Sequence, residues 1–312
     1  MTPRQIGQLV LVAVLWGGVF LLVKYALVGF SAVEVAFFQA AIGALGLFVV
    51  VRFEGGEARS KLNDILRRPG PALLLGALAI AVPFMLIALG ELTVPSGLAG
   101  VLASTTPIFV ALFSPVLGYN TRINRRQGAG LIVGLIGVAL VVGAHFVGSL
   151  GQLLGALAVL GAAASGGLSS FVVALQYKDK GIPASTTSFF SLSVGALLTL
   201  PVALVTAPHE LPGTRAVLAV IVLGLLCTAL AFMLYYSLID QIGEERASLA
   251  TYLTPVFALF YGVLLLGESL TVVAVTGLVL IIVGAEITLR GAGNRHSGGD
   301  LRTQYRIHPP FH

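Results

Sequence analysis

Few side chains in this 312-residue chain could do covalent chemistry. The four aspartates, Asp64, Asp179, Asp240 and Asp300, all stand in polar stretches, and away from the edges of the long apolar runs only Lys24 and, near the end of the last run, Glu286 carry a charged side chain. No carboxylate pair is placed to activate water or to hold Mg²⁺ and pyrophosphate, and there is no aspartate dyad for intramembrane proteolysis. The histidines are too scattered to hold a metal, and Cys227 is the chain's one cysteine, which leaves neither a disulfide nor a thiolate cluster. An enzyme, a metal site, a cofactor and a buried carboxylate proton relay are therefore not expected.

What stands at the middle of the runs is aromatic and hydroxylic. The first half supplies Trp16, Phe20, Phe38, Gln39, Phe84, Met85, Ser104 and Thr105, and the second supplies Ser165, Ser169, Ser170, Phe190, Met233, Tyr235, Tyr236, Tyr252 and Thr254. Such a set binds rather than reacts. It suits a ligand with an apolar body and a few hydrogen-bonding groups, as an amino acid with a large side chain would be. Each residue has a plainer explanation too: Phe and Met fill space between helices, and Ser and Thr bond the carbonyl one turn back. Trp16 argues hardest for a cavity, because tryptophan favours membrane interfaces, yet the chain's only one falls mid-run beside Gly17 and Gly18.

The elements that must position these residues follow from composition. The chain is 57% hydrophobic and 10% charged, with mean hydropathy +0.99, whereas a soluble domain carries about 25% charged residues. Apolar runs long enough to cross a bilayer recur at roughly 5–28, 33–53, 70–91, 95–119, 127–145, 150–177, 185–206, 214–239, 246–267 and 270–290. An all-α integral membrane protein with ten transmembrane helices is expected. Sixteen Lys and Arg residues fall on the side of the amino terminus, against Arg215 alone on the other. This bias places both termini in the cytoplasm and accounts for a pI near 9.6 without a nucleic-acid partner.

Two prolines interrupt the runs at Thr-Pro-x-Phe, Pro107 in the fourth and Pro255 in the ninth. They lie 148 residues apart, and at the same offset Gly76 meets Gly224, Ala81 meets Ala229, and the Phe-Met-Leu block at 84–86 meets that at 232–234. The offset spans five helices, an odd number, so the second copy must enter the membrane inverted. Inverted repeats of this kind are common in secondary transporters. Pro107 and Pro255 then read as paired hinges, with packing kinks the alternative. Thr105, Thr106 and Thr254 are placed to satisfy the freed carbonyls.

The stretches "LWGGVFLLVKYAL" (15–27), "TPIF" (106–109) and "TPVFALFYGVLLLGE" (254–268) resemble the drug/metabolite transporter superfamily, and within it the EamA family of ten-helix exporters, closest to amino-acid exporters of the YddG type. The resemblance implies a basket of two inverted five-helix repeats, 1–145 and 146–290, around a central cavity. Helices one to four and six to nine would line it, with helices five and ten peripheral. It further implies export of a small amphipathic metabolite, an amino acid foremost, by alternating access in a bacterial-type inner membrane. Another metabolite class, a non-transporting sensor and a membrane-embedded enzyme rank below that. The halves are not identical: Ser165 stands opposite Trp16, and Tyr119-Asn120 opposite Gly267-Glu268.

Lys24, about two turns beyond Trp16, is expected either to snorkel as an anchor or to hold Glu34 or Glu91 as a gate on the outer side. The glycine ladders at 128–137 and 277–285 should let helices five and ten approach closely. A monomer is expected, a homodimer contact through these ladders being the weaker reading. The polar segment 291–312 is expected to be a disordered tail.

Overall fold

The computed structural model describes residues 1–53, 69–117, 123–145, 149–176, 183–206, 211–269 and 271–293. Ten long helices follow one another: α1 (Pro3–Ala26), α2 (Ala32–Phe53), α3 (Pro69–Gly90), α4 (Ser96–Val116), α5 (Arg125–His145), α6 (Leu150–Gln176), α7 (Ala184–Thr206), α8 (Thr214–Ile242), α9 (Leu249–Leu266) and α10 (Val272–Gly293). The first nine are long and apolar enough to cross a bilayer, and α10 is apolar over Val272–Thr288. Large apolar side chains such as Leu45, Leu197 and Leu264 stand exposed on the outer faces, which is where lipid replaces water. The chain is a multi-pass membrane protein. α10 runs to Gly293, past the boundary expected at 290, and residues 294–312, expected to be a disordered tail, lie outside the described residues.

Polar side chains start the helices where the backbone N–H groups have no partner. The Thr2 hydroxyl accepts from Gln5 N–H while the Gln5 side chain accepts from Thr2 N–H. Ser31 and Glu34 do the same for α2 at 3.3 and 2.8 Å.

The main helix pairings map onto one another when each helix is exchanged for the one five places on. α1 packs on α9 as α6 packs on α4, α1 on α8 as α6 on α3, and α2 on α8 as α7 on α3. The pairs α2 with α7 and α5 with α10 map onto themselves. The α5–α10 contact is made by the glycine ladders. A Cβ on Gly137 would lie 2.7 Å from the Gly277 carbonyl oxygen, and one on Gly284 would lie 2.6 Å from the Gly130 carbonyl oxygen. Only hydrogen fits there.

Two features of the interior were not expected. Residues Ala77–Ala81 of α3 and Leu225–Leu230 of α8 wind as π-helix, again 148 residues apart. Each follows a glycine pressed against a helix of the other half: a Cβ on Gly76 would lie 2.5 Å from Val194 Cβ, and one on Gly224 would lie 2.6 Å from Ile42 Cβ. The wide turn exposes backbone to side chains from neighbouring helices. Ser165 donates to the Leu78 carbonyl at 2.8 Å, and Gln39 donates to Thr228, which itself donates to the Leu223 carbonyl.

The prolines behave differently from each other. α4 is broken into Ser96–Ala103 and Thr106–Val116, whereas α9 runs unbroken through Pro255. Hydroxyl spacing explains this. Ser104, Thr105 and Thr106 donate to the carbonyls of Val101, Leu102 and Ala103, three residues back in each case. That tighter pattern pulls the chain out of α register and also satisfies Ala103, whose amide partner Pro107 cannot supply. In α9 the same three places hold Tyr252, Leu253 and Thr254, and Thr254 bonds Ala250 four residues back, in helical register.

Candidate functional site

The break in α4 opens onto a cavity of about 320 Å³ walled by three helices. From α1 come Trp16, Val19 and Phe20; from α4 come Gly100, Ala103, Ser104, Thr106 and Pro107; from α9 come Thr251, Tyr252 and Thr254. Each wall is one helix face. The spacing i, i+3, i+4 places Trp16, Val19 and Phe20 together, and i, i+3, i+4, i+7 does so for Gly100, Ala103, Ser104 and Pro107. Small residues set the separation of the walls: a Cβ on Gly17 would lie 2.5 Å from Phe257 Cβ and 3.0 Å from the Thr254 carbonyl oxygen. α1 thus lies directly on α9, with Trp16 turned aside into the opening. Behind Trp16 stand Tyr235 and Phe232 of α8, with ring centroids 4.8 and 6.2 Å away.

Of the residues proposed from sequence, Trp16, Phe20, Ser104, Tyr252, Thr254 and Pro107 line this cavity. The others lie elsewhere, and their polar groups are committed within the protein. Thr105 is fully buried and bonds its own helix. Gln39 and Ser165 serve the π-helical turns, Ser169 donates to the Gly166 carbonyl, and Tyr236 pairs with Ser188 at 2.6 Å. Tyr235 stacks behind Trp16, Phe38 packs against Phe30 and Phe37, and Phe84 packs beside the core around Ile80 and Leu192. Met85 is not among the lining residues. The reason is rotational: depth along a helix does not say which way a side chain points. Thr251 and Gly100 were missed, although each shares a helix face with a residue that was named (Thr254, Ser104).

Beyond the cavity, at the end of the bundle away from the termini, the turns between helices are tied together. There Lys24 donates to the main-chain carbonyls of Glu91 and Val94, at the turn between α3 and α4. The Glu91 carboxyl is fully buried; one oxygen accepts from the Ser96 hydroxyl at 2.9 Å, and the other has no hydrogen-bond partner. Glu268, just past α9, accepts from the N–H groups of Ser96 and Gly97 at 2.6 and 2.9 Å, so that a residue after α9 caps the start of α4. A Cβ on Gly262 would meet that carboxylate, so glycine admits it. The expected partnership of Lys24 with Glu34 is not formed: Glu34 bonds Ser31 at the start of its own helix, and Lys24 uses carbonyl oxygens. Tyr25 adds a further tie, its ring 4.1 Å beneath the Arg215 guanidinium of α8.

The arrangement can hold an amphipathic molecule near mid-membrane, but it presents no reactive group. Comparison with known proteins agrees. The model of the EamA-like transporter family matches residues 5–143 and again 153–290. The chain is 28% identical over 277 residues to the uncharacterized transporter YoaV of Bacillus subtilis, covering 88% of this chain and 92% of that one. It is 26% identical to the uncharacterized inner membrane transporter YedA of Escherichia coli (91% and 90% covered), and 25% identical to a probable terminal-alkyne amino-acid exporter of Streptantibioticus cattleyicolor (92% and 94% covered). A solved crystal structure shares the fold with TM-score 0.63 at 20% identity, over 92% of this chain and 98% of that one. With the family model matched twice across a bundle of ten apolar helices, this chain is a membrane transporter and belongs to the EamA-like transporter family.

Proposed function

We propose that the protein is a secondary transporter that exports small amphipathic metabolites by alternating access. The name of the Streptantibioticus relative, a probable terminal-alkyne amino-acid exporter, supports amino acids as the class, and the aromatic lining favours aromatic or otherwise neutral ones. The observation that carries this reading is the cavity at the α4 break, enclosed by α1, α4 and α9, with the turns beyond one end tied by Lys24, Glu91, Ser96 and Glu268. Two inverted halves, 1–145 and 146–290, would open it alternately. Their exchange symmetry is supported by the helix pairings and by the π-helical turns 148 residues apart. Thr251 lies near the start of α9, so the cavity extends toward the end of the bundle that holds the termini. With both termini cytoplasmic in a bacterial-type inner membrane, as the basic residues indicate, this state faces inward. The chain acts as a monomer, because the glycine ladders of α5 and α10 are used up on each other.

In α4 the broken helix bends at Pro107, and in α9 the intact helix holds Pro255 in reserve for the opposite state. Trp16→Ala tests the site. The indole is half-buried and faces the opening, so its loss should lower counterflow of labelled neutral amino acids in proteoliposomes by about tenfold, about 1.4 kcal/mol of recognition. Yield and melting temperature should change little. A melting temperature that falls together with the counterflow would place Trp16 in the packing instead.

A further inference from the structure

Of the amphipathic molecules that the transport reading admits, and on which this inference rests, the lining favours one kind. Four aliphatic hydroxyls face the cavity, and each has given its only proton to a carbonyl of its own helix. Ser104 donates to Val101 at 2.6 Å, Thr106 to Ala103 at 3.0 Å, Thr251 to Ser248 at 2.6 Å and Thr254 to Ala250 at 3.0 Å. A hydroxyl has one proton and two lone pairs, so these four offer a ligand acceptors only.

The α4 break adds few donors, the Thr106 N–H at the start of its second segment among them. Pro107 has no N–H, and those of Ile108 and Phe109 are bonded to the Thr105 carbonyl at 2.8 and 3.3 Å. Neither lysine nor arginine is among the lining residues, and Lys24 is held beyond the cavity by Glu91 and Val94. Trp16, Phe20 and Tyr252 add ring faces, which attract cations. Tyr252 also stands beside the Glu286 carboxyl of α10. A carboxylate entering this space would exchange its water for a few uncharged donors such as the Trp16 indole N–H, whereas an ammonium would find four acceptors and the ring faces.

We infer that the cavity takes its ligand by a protonated amine on an apolar body and favours that amine over a free carboxylate. A decarboxylated, amidated or esterified amino acid is the matching class, ahead of the zwitterion.

Trp16 is the chain's only tryptophan and lines the cavity, so its emission reports occupancy directly. The purified full-length protein is titrated at neutral pH with phenethylamine, phenylalaninamide, phenylalanine and 3-phenylpropionate. Phenethylamine and phenylalaninamide should shift the emission with affinities about tenfold or more above those of phenylalanine and 3-phenylpropionate. Ser104→Ala, which removes one acceptor, should weaken phenethylamine several-fold without altering the spectrum of the free protein.

Equal or tighter binding of phenylalanine or 3-phenylpropionate overturns the inference, as does the absence of any response to phenethylamine. Counterflow with the same four compounds separates this from the transport reading. Movement of phenylalanine in preference to phenethylamine would refute amine selection and leave transport standing. Amine-selective fluorescence with no movement of any compound would refute transport and leave amine selection standing.

Discussion

Gly17→Leu is expected to abolish recovery of folded protein. The new Cβ would lie 2.5 Å from Phe257 Cβ and 3.0 Å from both the Ala258 nitrogen and the Thr254 carbonyl oxygen. Two of those three neighbours are backbone of α9, which cannot turn aside as a side chain can. Overpacking of a core costs typically about 1–3 kcal/mol and more where backbone must move, and the helices forced apart here are two of the three that wall the cavity. Detergent extraction followed by size exclusion should show aggregate in place of the monodisperse peak. Gly7→Leu, on the same helix with nothing within 4 Å of its Cβ, should behave as the parent. If both variants yield equal folded protein, the close packing of α1 on α9 is wrong.

Glu268→Ala should be the most damaging change at the end of the bundle away from the termini. The carboxylate accepts two backbone N–H bonds at the start of α4, from a residue more than 170 positions away in sequence. Hydrogen bonds to a charged group contribute about 1.5–3 kcal/mol each, and the half-exposed position of Glu268 puts the loss toward the lower end of their sum, about 3 kcal/mol. The site would then open to the far side more often. A cysteine introduced at the buried Ser96 should react with a membrane-impermeant maleimide at least about tenfold faster in the Glu268→Ala background, where the cap is gone. Glu268→Gln, which keeps an acceptor oxygen but not the charge, should fall between. Unchanged labelling in both would mean that Glu268 does not hold this end closed.

Much of this architecture is written in the residues themselves. The ten apolar runs became the ten helices, and the glycines of α5 and α10 met as their spacing required, because a stripe of hydrogen atoms packs tightly only on another such stripe. The offset of 148 residues reappears in the π-helical turns, although nothing in Ala77–Ala81 marks it as anything but α-helix. Those turns depend on Gly76 and Gly224 being pressed by helices far away in sequence, which local patterns do not encode. The Ser31–Glu34 cap is readable as a Ser-x-x-Glu start signal, which commits Glu34 to its own helix and leaves Lys24 to other partners. Lys24 itself satisfies its charge on main-chain oxygens, which no list of side chains reveals. Within the site, Trp16 was legible because a lone mid-run tryptophan is unusual. Ser165 and Ser169 bond the Leu78 and Gly166 carbonyls, because a hydroxyl in a membrane helix goes to whichever carbonyl its rotation brings near. The difference between the prolines lay in the three residues before each: Ser-Thr-Thr breaks the helix, and Tyr-Leu-Thr does not.

The central claim is that the cavity at the α4 break is reached alternately from the two sides of the membrane. Its most direct test is Ser104→Cys, with Cys227 replaced by serine so that a single thiol remains, labelled in sealed vesicles of each orientation by an impermeant maleimide. The account predicts labelling from both sides, faster from the side of the termini. In addition, Pro107→Ala should slow labelling from one side and Pro255→Ala from the other. Labelling from one side only, at a rate that neither proline substitution alters, would make the cavity a static pocket and contradict the account.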